Sequence, residues 1–156
     1  MEAVLRAIRG ATTVDDDTAL QVVERTQALV RELLDANGLS PEDLVSVVFT
    51  VTTDIVSSFP ATAARALGLD DVALLGAVEA PVTGALPHCI RVLVHCYSTR
   101  PRSELRHVYL EGARALRKDL DRGQDLDRGK DLDRGKDLDR GKDLDRGKDL
   151  DRGGAR

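Results

Sequence analysis

Several kinds of residue are scarce in this chain, and each shortage removes a class of explanation. There are two cysteines, one methionine and no tryptophan, and aromatic residues make up only 3% of the chain. Cys89 and Cys96 fall on one alternating segment, seven residues apart and on opposite faces. At about 3.3 Å per residue they lie roughly 23 Å apart, beyond disulfide reach. A reducing, cytoplasmic setting is expected. Neither cysteine has CxxC-type spacing, and His88, His95 and His107 are scattered, so no metal centre is predicted. No apolar run approaches a bilayer span, and Arg6 and Arg9 interrupt the N-terminus before a secretory apolar region can develop. No membrane partner is expected.

Lysine is missing from the first 117 residues, which carry eleven arginines and fifteen acids. These account for the whole formal charge of −4, because residues 118–156 hold twelve bases and twelve acids. An acidic balance argues against a nucleic-acid binder of the usual basic kind. Residues 118–156 read KDLDRG, QDLDRG, four more KDLDRG units and GAR. Leucine every six residues makes no apolar helix face, and each interior glycine costs a helix about 1 kcal/mol. A disordered low-complexity extension is therefore predicted for 118–156, following a folded domain over 1–117. The glycine and glutamate spacing of an EF-hand is absent from it. So short a domain buries a small share of its surface, and oligomerisation would supply the missing core.

Along the domain, Val4 to Arg9 alternates as a first strand ended by Gly10, which places Arg9 at a strand end. Asp15, Asp16 and Asp17 are placed to cap a helix from Thr18 to Ala36, closed by Asn37-Gly38. Its apolar stripe is Val22, Val23, Leu29, Val30, Leu33 and Leu34. Ser40 to Asp43 makes a turn, and Leu44 to Thr52 is a Val- and Thr-rich strand. Pro60 and Gly68 bound a short helix, and Val72 to Val78 is another strand. Leu105 to Glu111 is the last strand, and Ala113 to Arg117 closes the domain. This order predicts an α+β fold, a sheet with one long helix packed on a face.

The chemistry concentrates between Glu79 and Tyr97. From Cys89 the alternation sends Ile90, Val92, Val94 and Cys96 one way and Arg91, Leu93, His95 and Tyr97 the other. Pro81, Gly84 and Pro87 break the lead-in, so the Glu79 carboxylate can fold back towards Arg91. Alone, that reads as an arginine with a salt-bridge partner.

Four stretches taken together carry more: IRGATTV (Ile8–Val14), FPATAAR (Phe59–Arg65), VTGALPHCIRV (Val82–Val92) and RHVYLEGARALR (Arg106–Arg117). In order and spacing they resemble the monofunctional AroH class of chorismate mutases. The resemblance implies a pseudo-α/β-barrel homotrimer with active sites between subunits, and conversion of chorismate to prephenate in aromatic amino-acid biosynthesis. That pericyclic rearrangement needs no nucleophile, metal or cofactor, only selection of the compact conformer and stabilisation of charge on the ether oxygen. The resemblance places Arg91 at that oxygen and Glu79 as the carboxylate that accepts from the ring hydroxyl and orients Arg91. It assigns a substrate carboxylate to Arg9 and Tyr109, the apolar wall to Phe59 and Leu116, and the mouth to Arg65 and Arg117. Ala61, Leu74, Leu75 and Gly76 complete the implied substrate contacts. Thr62 stands where the family commonly has lysine, and Gly76 where it often has cysteine. A non-catalytic trimeric small-molecule-binding module is the alternative, and an interaction protein acting through the repeats is another.

Overall fold

A computed structural model describes residues 2–117; the extension expected over 118–156 lies outside the described residues. Five strands form one mixed sheet: β1 (Val4–Thr13), β2 (Leu44–Val51), β3 (Ala73–Val78), β4 (Cys89–Ser98) and β5 (Val108–Tyr109). Their order across the sheet is β3-β2-β4-β1-β5. The central strand β4 runs antiparallel to both β1 and β2, while β2–β3 and β1–β5 are parallel pairs. The helices α1 (Ala19–Asn37) and α2 (Pro60–Arg65) lie on one face. The α+β architecture expected from the sequence is the one observed.

Helix α1 begins where Thr18 supplies the cap, its side chain accepting from the Gln21 N–H. The three aspartates do not cap it. Asp17 instead accepts from the Val56 and Ser57 amides, tying down the loop after β2. The helix ends one residue beyond expectation, at Asn37, because Gly38 takes the left-handed conformation (φ +62°) and returns hydrogen bonds to the last turn. Val22, Leu29, Val30 and Leu33 are buried as the stripe requires, joined by Thr26 and Asn37, and Leu34 is half-buried. Against Leu29, Val30 and Leu33 pack Ile8, Val47, Phe49, Val92, Val94 and Cys96 from the sheet, while Val22 packs with Val14, Ile55 and Ile90.

Two strands depart from expectation by more than one residue, for opposite reasons. β1 does not stop at Gly10 but continues to Thr13, because β4 pairs with it in unbroken register from Val4↔Ser98 to Thr13↔Cys89. Arg9 therefore sits within a strand and not at its end. Gly10 is there for close packing: a Cβ would lie 2.9 Å from the Val108 carbonyl oxygen and 3.1 Å from Leu29 Cδ1. β5 is shorter than the predicted Leu105–Glu111. The Asn37 side chain takes both backbone groups of Arg106, accepting from its N–H at 2.8 Å and donating to its carbonyl at 2.9 Å. Glu111 then turns the chain out of the sheet at φ +49°.

Gly10→Ala would press a methyl into that carbonyl and into the helix leucines. Overpacking of this kind destabilises by about 1–3 kcal/mol. Chemical denaturation should show the loss as a lower midpoint at unchanged slope.

Candidate active site

Arg9 of β1 and Arg91 of β4 project from the sheet face away from the helices. Register places Ala11 opposite Arg91 and Arg9 opposite Leu93. On the other side of β4, Thr50 lies opposite Arg91 and Val48 opposite Leu93. β5 pairs Tyr109 with Ala11. These neighbours wall an open cleft of about 490 Å³, with Leu116 at one end. Arg9, Arg91, Tyr109 and Leu116, which the resemblance assigns to one site, all line this cleft, coming from β1, β4 and the C-terminal stretch of the domain.

Leu116 arrives through the last turn, Glu111–Leu116, which packs on β1. The Gly112 N–H donates to the Thr13 hydroxyl at 2.9 Å, and a Cβ on Gly112 would meet that oxygen at 2.8 Å. Beneath it Ala113, Ala11 and Cys89 form a small buried cluster flanked by Tyr109 and Leu116. Small side chains here let the turn lie close to the strands. His107 fixes the approach to β5 by accepting the Arg9 amide N–H on Nδ1 at 3.2 Å. Burial and then the nearby Arg9 charge lower its pKa, favouring the neutral ring that can accept.

Glu79 follows β3 directly, and its amide donates to the Val51 carbonyl at 2.9 Å. Its carboxylate pairs with Arg91, Oε2 accepting from Nη1, as the proline-rich lead-in predicted. The other oxygen, Oε1, accepts from the Thr50 hydroxyl at 2.7 Å. The pair is partly shielded, with side chains 36% (Arg91) and 15% (Glu79) exposed. Arg91 lines the large cleft, while Glu79 lines a smaller one of about 190 Å³ among residues 52–54 and 80–87. The ion pair stands on the border between the two.

The other expected site residues lie outside the large cleft of this chain. Phe59 is 77% exposed just before α2, and Arg65 ends that helix in solvent. Ala61 and Leu74 pack against the main core. Leu75 is exposed opposite Val48, and a Cβ on Gly76 would meet nothing within 4 Å. Arg117 is exposed at the end of the last turn. Sequence reasoning missed Val48, Leu93 and Thr50. Leu93 was legible as a neighbour of Arg91 on one face of β4, but the β2 residues needed the β2–β4 register.

Two guanidiniums, a phenol and apolar walls surround this cleft, and none of its lining residues is Ser, Cys, His or Lys. Cys89 does not serve as a nucleophile, because it is fully buried and burial pushes its thiol up to about 11. Such a lining is chemically suited to a small organic anion and to developing negative charge. Fold and cleft together match the class of small-molecule enzymes that work by positioning and electrostatics.

The comparisons agree with that class. The family model "Chorismate mutase type I" matches residues 5–120. A chorismate mutase AroH from Thermus thermophilus is 48% identical over 122 residues, 78% of this chain and all of the relative. The AroH of Bacillus subtilis is 40% identical over 118 residues, 75% of this chain and 93% of the relative. A solved chorismate mutase from Clostridium thermocellum superposes with a TM-score of 0.70 at 46% identity, covering 71% of this chain and 99% of that one. The chain belongs to the chorismate mutase type I family, and it is an isomerase.

At pH 8 only about a thousandth of a thiol with a pKa near 11 is ionised. Both cysteines are fully buried. An aromatic disulfide reagent should therefore label neither thiol in the native protein within minutes, and both after denaturation.

Proposed function

We propose that this cleft converts chorismate to prephenate in aromatic amino-acid biosynthesis, with residues 1–117 as the catalytic unit. The observation that carries the reading is the Arg91–Glu79 pair, set beside Arg9 and Tyr109 at the edge of a cleft lined by no Ser, Cys, His or Lys. In the reaction a C–O bond of the enol-pyruvyl ether breaks as a C–C bond forms, and electrons redistribute around one ring of six atoms. No proton moves. Arg91 donates to the ether oxygen, where negative charge grows as the C–O bond lengthens. Glu79 holds that guanidinium and accepts from the ring hydroxyl. Arg9 and Tyr109 bind a carboxylate, which helps hold the compact conformer. Leu116 supplies apolar wall. The reaction belongs to the cytoplasm.

We also propose a homotrimer with sites between subunits. Leu5, Leu75, Leu93 and Tyr97 are exposed on the cleft side of the sheet, which the helices leave uncovered. An apolar sheet face of this kind calls for a partner. Phe59, Ala61, Arg65, Leu74, Leu75, Gly76 and Arg117 lie outside the cleft of their own chain, so those that touch substrate do so at a cleft completed by a neighbour. Sedimentation at micromolar concentration should give a trimer; a monomer with full activity would refute shared sites.

The catalytic test is Arg91→Ala. A donor that strengthens only in the transition state affects kcat more than KM. Loss of one preorganised donor typically costs about 3–4 kcal/mol, or roughly 10²–10³ in rate. Following the loss of chorismate absorbance should show at least that fall in kcat, in a variant whose circular dichroism matches the unaltered protein. Arg91→Lys keeps the charge without the planar fork, and only part of the rate should return.

A further inference from the structure

We infer that Thr50 is a positioning residue for this reaction, holding the Glu79 carboxylate in the orientation from which it grips Arg91; the inference rests on the function proposed above. β2 lies between β3 and β4, and the Arg91–Glu79 pair reaches across it. Thr50 is the β2 residue directly beneath that reach: register pairs it with Arg91 on one side and with Ala77, two residues before Glu79, on the other. Its hydroxyl donates to Oε1 at 2.7 Å while Oε2 accepts from Arg91. Each carboxylate oxygen thus has one fixed partner, which sets both the plane of the group and its torsion.

The need for such a clamp follows from the chain. Glu79 lies one residue beyond β3, where only its amide is anchored, by the Val51 carbonyl. Three side-chain torsions remain, and freezing them has an entropic cost. Threonine suits the task because its β-branched side chain is stiff in χ1, so the donor is already aimed. Thr52, two residues on, is engaged elsewhere: it accepts the Cys89 amide at 2.9 Å and donates to Asp54. Thr50 is therefore the β2 hydroxyl that serves the ion pair.

Without this donor the carboxylate can rotate, either chelating Arg91 with both oxygens or turning towards the smaller cleft. In both cases the guanidinium leaves its aim on the ether oxygen. Substrate carboxylate contacts at Arg9 and Tyr109 are untouched, so most of the loss falls on kcat, with a small rise in KM from the loosened Glu79 contact to the ring hydroxyl. A hydrogen bond to a charged group is one of the stronger kinds. Thr50→Val keeps the shape and removes the donor; Thr50→Ser keeps the donor.

The experiment is steady-state turnover of chorismate by the full chain and by both variants, with thermal melting of each. Thr50→Val should lower kcat roughly ten- to thirtyfold while KM changes less than threefold. Thr50→Ser should stay within about threefold of the unaltered kcat. A purely structural threonine would instead lower the melting temperature and leave the kcat of the folded fraction unchanged. Equal kcat in Thr50→Val and the unaltered chain would overturn this inference alone. So would Thr50→Ser falling as far as Thr50→Val. Absence of turnover in the unaltered chain would overturn it together with the proposed function.

Discussion

The Arg91–Glu79 ion pair is the constraint around which the site side of the sheet is arranged. One charge rides on the central strand and the other just beyond an edge strand, so the pair spans the strand between them. Its partial exposure makes it a modest contributor to stability, since exposed pairs are typically worth about 0–1 kcal/mol. Its value lies in geometry. A guanidinium on β4 inherits the rigidity of the longest-paired strand in the sheet, and a carboxylate fixed at both oxygens keeps the planar fork in one orientation.

Everything else on that face follows from the sheet being covered on one side. The helices bury Phe49, Val47, Val92 and Val94, which anchors the strands, and leave the alternate residues of those strands facing a cleft. Gly10 permits α1 to press its leucines onto β1, and β5 to come alongside. Thr13 and the small residues Ala11 and Ala113 then let the last turn lie down at the end of the cleft. A closely packed helical side and a shallow charged side are thus two faces of the same alternation.

The departures from expectation are as informative as the agreements. β4 is legible because strict alternation from Cys89 to Tyr97 has one interpretation, and the strand runs one residue further, to Ser98. Local rules end β1 at Gly10 because glycine is an ordinary strand terminator, whereas here it marks a close approach of other backbone and side chains. Local rules make β5 too long because nothing near Arg106 in the sequence announces that Asn37, sixty-nine residues away, satisfies its backbone groups. The aspartates before α1 were sound caps by local rules, yet one was recruited by the loop at Val56 and Ser57.

By itself the sequence determined the periodicities, the order of the elements, the position of Arg91 on a strand and the four motifs that mark the family. These properties are local: each rests on a few neighbouring residues obeying the steric and hydrogen-bonding rules of the chain. Only the tertiary structure decided that Thr50 lies between Arg91 and Glu79, that Val48 walls the cleft, and that Phe59 and Arg65 lie outside it. Those facts depend on strand register and on which edge of the sheet each strand joins. Register comes from summing contacts between residues far apart in the chain, a sum that no single segment carries.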